Sequence, residues 1–93
     1  MNPLIITRHQ GLVDWLKKHY NITGTIIPHV TNPNLLTGRI VIGILPLHLA
    51  AKAQEIWTID MPNLPAEKRG QEVTAEEMEQ FGATLSKYKV TKL

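Results

Sequence analysis

The chain has 93 residues, 43% hydrophobic and 19% charged, with 10 Lys and Arg against 8 Asp and Glu and no cysteine. This supports one domain over residues 1–93 with a thin core, and it excludes a disordered chain, a disulfide framework and a thiolate metal site. No secretion leader is legible, the apolar stretches fall well short of the roughly 18–20 residues that cross a bilayer, and the basic residues are too scattered for a duplex-binding stripe. The expectation is a cytoplasmic domain with no membrane role and no long nucleic acid, its small positive charge suiting a small anionic ligand.

Residues 3–8, PLIITR, are rich in β-branched side chains and predict a strand. In GLVDWLKKHY (11–20), Leu12, Val13, Trp15, Leu16 and Tyr20 fall at helical spacing, with Trp15 on the core face. GTIIPHV (24–30) predicts a shorter strand, held to an edge or ended early by Pro28, which cannot donate to a ladder. TNPNLLTG then reads as loop. The continuous apolar run RIVIGIL (39–45) predicts a central strand covered on both faces. PLHLAAKAQE follows as a helix opened by Pro46, with His48, Lys52 and Glu55 on its polar stripe.

IWTID (56–60) predicts a fourth strand, with Trp57 in the core. MPNLPAEKRGQEV is longer than the usual connection of about 4–6 residues, a length typical of binding loops. Thr74-Ala75-Glu76-Glu77 fits a capping box, so a third helix starts at Ala75 and carries Met78, Phe81 and Leu85 on one face. Its acidic residues Glu76, Glu77 and Glu79 suit the helix dipole better than a catalytic carboxylate cluster. SKYKVTKL ends the chain as a half-exposed strand. The order β-α-β-β-α-β-α-β implies an α/β fold: a small Rossmann-like, mostly parallel sheet flanked by helices.

Parallel sheets bind ligands at the carboxyl ends of their strands. Three pieces fall on that rim: Thr7-Arg8-His9-Gln10-Gly11, Gly43-Ile44-Leu45-Pro46 and Glu67-Lys68-Arg69-Gly70. Arg8 and Arg69 suit phosphate oxygens through a bidentate fork, Gly11 and Gly70 allow close backbone approach, and His9 can exchange a proton near neutral pH. A charged dipeptide at a strand end is equally the solvated start of a loop. His9, His19, His29 and His48 lack a metal-ligand spacing, and Gly38 and Gly43 form neither a dinucleotide nor a Walker loop, so neither metal nor cofactor is expected. The Arg-His-Gly of histidine phosphatases is interrupted here by Gln10, and that fold is far larger.

TRHQG with Asp14-Trp15-Leu16, then VIGILP and LAA, then LP with RGQEVTAEEM, then GATL and YKV cover nearly the whole chain. In order and spacing this series resembles a small CRISPR-associated family of type III systems, the sixteenth of the Csx-designated series. Two departures stand out. An acidic residue commonly follows the histidine of the second strand, where this chain has His29-Val30-Thr31, and the stretch between LAA and the fourth strand is shorter.

The resemblance implies a fold of the CRISPR-associated Rossmann type, a homodimer, and a ring nuclease that degrades cyclic oligoadenylate, cyclic tetra-adenylate above all. The implied reaction needs no metal: a ribose 2′-hydroxyl attacks its neighbouring phosphate. Carried onto this chain, Arg8 and Arg69 bind and stabilise phosphate and His9 assists proton transfer. Thr7, Gln10, Gly11, Gly43, Leu45, Pro46, Lys68 and Gly70 shape the pocket. The same pocket also suits a module that binds or sequesters the messenger without cleaving it, and an interaction protein with no nucleotide is the third option.

Overall fold

The computed structural model describes residues 2–93. Its elements are β1 (Leu4–Ile6), α1 (Gln10–Tyr20), β2 (Thr25–Ile27), β3 (Ile40–Ile42), α2 (Leu47–Ala50), β4 (Glu55–Asp60), α3 (Ala75–Gln80) and β5 (Thr84–Tyr88), with 3-10 turns at Pro33–Leu36 and Ala66–Lys68. The strands form one five-stranded sheet in the order β2-β1-β3-β4-β5. The first four are parallel and β5 runs antiparallel to β4. The architecture is a small α/β fold with a mostly parallel mixed sheet flanked by helices, in a Rossmann-like arrangement, as the alternation of elements predicts.

Side chains alternate across a strand, so neighbouring residues of the apolar runs serve opposite faces. Ile5, Ile42 and Trp57 pack with Trp15 and Leu16 of α1 and with Ala75 and Met78 of α3. Their chain neighbours Leu4, Val41 and Ile56 pack on the other face with Leu36, Ala50 and Ala53. Both tryptophans are buried, and their indole N–H groups donate to Glu79 and Glu55 respectively, which removes the cost of burying an unpaired donor. The chain leaves α1 through Asn21 in the left-handed conformation, its amide donating to the Lys17 carbonyl. Among the described residues, no helix is long and apolar enough to cross a membrane.

Four expectations need correction. The third helix ends at Gln80, which leaves Phe81 as its C-cap and puts Leu85 in the last strand rather than on the helix face. The second helix is one turn, Leu47–Ala50, rather than most of PLHLAAKAQE. After Ala51 the backbone bonds tighten to the 3-10 pattern, and the Gln54 amide then donates to the Arg39 carbonyl. β3 is only three residues long, so the chain has about 10 Å to travel back before it pairs again, and one turn plus a tight bend suffices.

The last strand is Thr84–Tyr88 rather than the tail from Ser86, and its direction is reversed. α3 has six residues, too few to carry the chain back across the sheet. Its end remains at the carboxyl rim of β4, where the Phe81 carbonyl accepts from the Asn63 amide. Gly82, at φ +77°, turns the chain there, so β5 starts opposite Asp60 and can only run downward. The segment read wholly as loop, TNPNLLTG, contains a 3-10 turn started by the Asn32 side chain, which seats Leu36 in the core.

The capping box at α3 is present in both directions, each bond 3.1 Å: the Glu77 amide donates to the Thr74 hydroxyl and the Thr74 amide to the Glu77 carboxylate. Thr74→Ala is expected to lower the unfolding free energy by about 1 kcal/mol in urea titration. Gly43 combines φ +150° with an Ile6 carbonyl 2.7 Å from where a Cβ would sit. Gly43→Ala is expected to cost about 2 kcal/mol or more, measured in the same way.

Candidate functional site

α1 follows β1 onto one face of the sheet, and α2 follows β3 onto the other. The two connections therefore part at the carboxyl ends of these adjacent strands and leave a crevice, the usual ligand position in an open parallel sheet. Gly43 allows the β3 end to lie against the Ile6 carbonyl while its amide still donates to the Trp57 carbonyl at 2.9 Å.

A cavity of about 420 Å³ opens at this crevice. Three segments distant in sequence reach it: Thr7, Arg8 and His9 after β1, Gly43 and Ile44 after β3, and Lys68, Gly70 and Gln71 from the loop before α3. Its wall is apolar, built from Ile6, Ile59, Met61, Leu64, Val73 and Met78. Cations at the mouth and an apolar wall suit a ligand that is part anion and part flat ring.

The first segment is held by its own backbone. The Thr7 amide donates to the Ile27 carbonyl at 3.0 Å, and the Thr7 hydroxyl accepts the His9 amide at 3.0 Å. His9 is the N-cap of α1, yet its side chain makes no capping bond, so the donors of the first turn face the rim without a side-chain acceptor. Its ring turns instead to the loop, with Nδ1 2.8 Å from Oε2 of Glu72. Arg8 is exposed and forms no ion pair among the described residues, leaving its guanidinium free for an anion. Lys68 lies 3.9 Å from the Glu77 carboxylate, a distant pair on the solvated side.

Other residues singled out in the sequence stand elsewhere. Arg69 is exposed in the same loop but does not line the cavity. The Gln10 side chain lies along α1, donating to Asp14 at 3.0 Å. Leu45 packs into the cluster on the α2 face, and Pro46 caps α2. Gly11 is buried, and a Cβ there would stand 1.9 Å from the Val73 carbonyl. It therefore lets the loop close onto α1. His48 is exposed on α2. Among the described residues, no three His, Asp or Glu side chains gather as metal ligands.

Sequence reasoning missed two polar residues of this loop: Gln71, which lines the cavity, and, bonded to His9 from outside that lining, Glu72. It lies 63 positions from His9, and no local spacing links the two. Within RGQEV it is an ordinary loop acid. The apolar wall was missed because Met61, Leu64 and Val73 sit in an irregular segment that has no periodicity to read.

No curated protein and no solved structure matches the chain. A family model described as "Putative CRISPR-associated protein (Cas_VVA1548)" matches residues 4–91, which include the rim segments and every strand. The chain that builds this crevice belongs to that CRISPR-associated family.

Proposed function

We propose that the protein is a ring nuclease that cuts cyclic oligoadenylate, cyclic tetra-adenylate above all, into linear di-adenylate and so ends type III CRISPR signalling. The observation that carries this reading is the convergence of Arg8, His9 and Lys68 with Gly43 and Gly70 around one apolar-walled cavity, in a chain of a CRISPR-associated family. The cations at the mouth meet phosphate, and the apolar wall accepts an adenine face.

The reaction is an internal transfer. A ribose 2′-oxygen bonds to the adjacent phosphorus, the bond from phosphorus to the 5′-oxygen breaks, and the product carries a 2′,3′-cyclic phosphate and a 5′-hydroxyl. His9 receives the 2′-hydroxyl proton, and the departing 5′-oxygen takes one from water. Arg8 and Lys68 offset the charge that grows on the phosphorane, and Arg69, exposed beside Lys68, joins them by swinging in. In-line positioning and charge stabilisation dominate such a transfer, and neither requires a metal or a cofactor.

A homodimer completes the proposal. Ile44 and Leu47 are 84% and 74% exposed, and Ile44 also lines the cavity. A two-fold contact through this corner presents each rim residue twice to a ring that is itself symmetric. A second reading, a module that binds the messenger without cutting it, draws on Arg69 standing outside the cavity.

Incubation with radiolabelled cyclic tetra-adenylate in EDTA is expected to yield linear products. Ligand recovered intact, with tight binding by calorimetry, would select the binding module instead. Arg8→Ala is expected to slow cleavage by on the order of a hundredfold, the usual loss on removing one donor to a transition state. Arg69→Ala tests whether that exposed arginine swings in, with a comparable loss expected. Changing both Ile44 and Leu47 to Lys is expected to give a monomer by analytical ultracentrifugation.

A further inference from the structure

The contact between His9 and Glu72 has a chemical content that its length alone determines. A carboxylate only accepts hydrogen bonds, so a ring nitrogen 2.8 Å from Glu72 Oε2 carries the hydrogen. That nitrogen is Nδ1. The neutral ring then has its lone pair on Nε2, and the imidazolium has hydrogens on both. In either state Nδ1 keeps its proton, so Nε2 is the nitrogen that gains and loses one.

The two side chains are 52% and 61% exposed, and a pair so open to water adds little to stability. Its placement is nevertheless built. His9 is tethered through its amide to the Thr7 hydroxyl, which fixes the origin of the ring. Gly11 admits the Val73 carbonyl against the first turn of α1, which brings the residue before Val73 to the histidine. Gly70, at φ +80°, turns the loop two residues before Glu72. Cavity-lining residues stand on both sides of Glu72, at Gln71 and Val73.

We infer that Glu72 is a positioning residue: it locks His9 in the form protonated on Nδ1 and thereby makes Nε2 the atom that takes the 2′-hydroxyl proton. This deepens the ring-nuclease reading and rests on it for the identity of the proton donor. The tautomer itself does not depend on that reading.

The test combines two readouts. Long-range nitrogen–proton correlation spectra of protein with nitrogen-labelled histidine report the tautomer, His9 being assigned among the 4 histidines by its loss in His9→Asn. In the wild-type protein, at a pH where the ring is neutral, His9 is expected to be protonated on Nδ1. In Glu72→Ala it is expected to revert to the form protonated on Nε2, which free imidazole side chains favour in water. With cyclic tetra-adenylate, the same variant is expected to lose kcat by on the order of tenfold or more, since general base catalysis depends on the correct lone pair, while KM changes little.

A wild-type His9 protonated on Nε2, or a Glu72→Ala variant that cleaves at the wild-type kcat, would overturn the inference. Cleavage absent from the wild-type protein, with the Nδ1 form present, would instead remove the nuclease reading and leave the tautomer assignment standing.

Discussion

The approach of two backbones at the carboxyl ends of β1 and β3 is the constraint on which the rest of the molecule depends. Gly43 lies against the Ile6 carbonyl with φ +150°, a conformation and a distance that no residue with a side chain meets without strain. The chain emerging from β1 crosses to β2 on one side and that from β3 crosses to β4 on the other, so right-handed crossovers put them on opposite faces of the sheet. One leads into the helix that buries Trp15, the other into the short turn carrying Ala50. A crevice between them is the geometric result, and the rim residues inherit their positions from it.

That geometry explains why the site is assembled from short pieces. Strands of three residues bring few side chains to the rim, so the long segment between β4 and α3 supplies the third wall. It is secured at both ends by bonds that do not involve a ligand. Asn63 bonds to Phe81 at one end, and the reciprocal cap of Thr74 and Glu77 closes the other. Between these anchors, the carboxylate of Glu72 meets the histidine at the start of α1, and a glycine on the helix opens the gap the loop fills.

Much of the fold was legible in the sequence because hydrophobic periodicity is a local signal. The run RIVIGIL announced a strand covered on both faces, and Val41 and Ile42 are indeed fully buried on opposite sides. The capping box placed the start of α3 at Ala75. The length of α2 and the direction of β5 were not legible, since each depends on how far the chain must travel between elements rather than on its composition. At the site, Arg8, His9, Gly43, Lys68 and Gly70 were legible as rim residues because the ends of parallel strands converge. Leu45 was not separable from them, since β3 ends at Ile42 and the connection to α2 carries it onto the far face. Glu72 needed a tertiary contact to acquire meaning.

The reversed direction of β5 has a further consequence for how copies of this chain meet. A sheet with two free edges offers unpaired backbone groups to any neighbouring strand. Here one edge is β2, three residues long and followed directly by Pro28. The other is β5, where Lys87 lies 4.4 Å over the Trp57 ring and the Lys89 ammonium donates to the Gln54 carbonyl. A short edge with a proline behind it and an edge carrying Lys87, with Lys89 just beyond its end, both resist extension into a longer sheet. Growth of the sheet from molecule to molecule is thus disfavoured at both ends by the same residues that finish the fold.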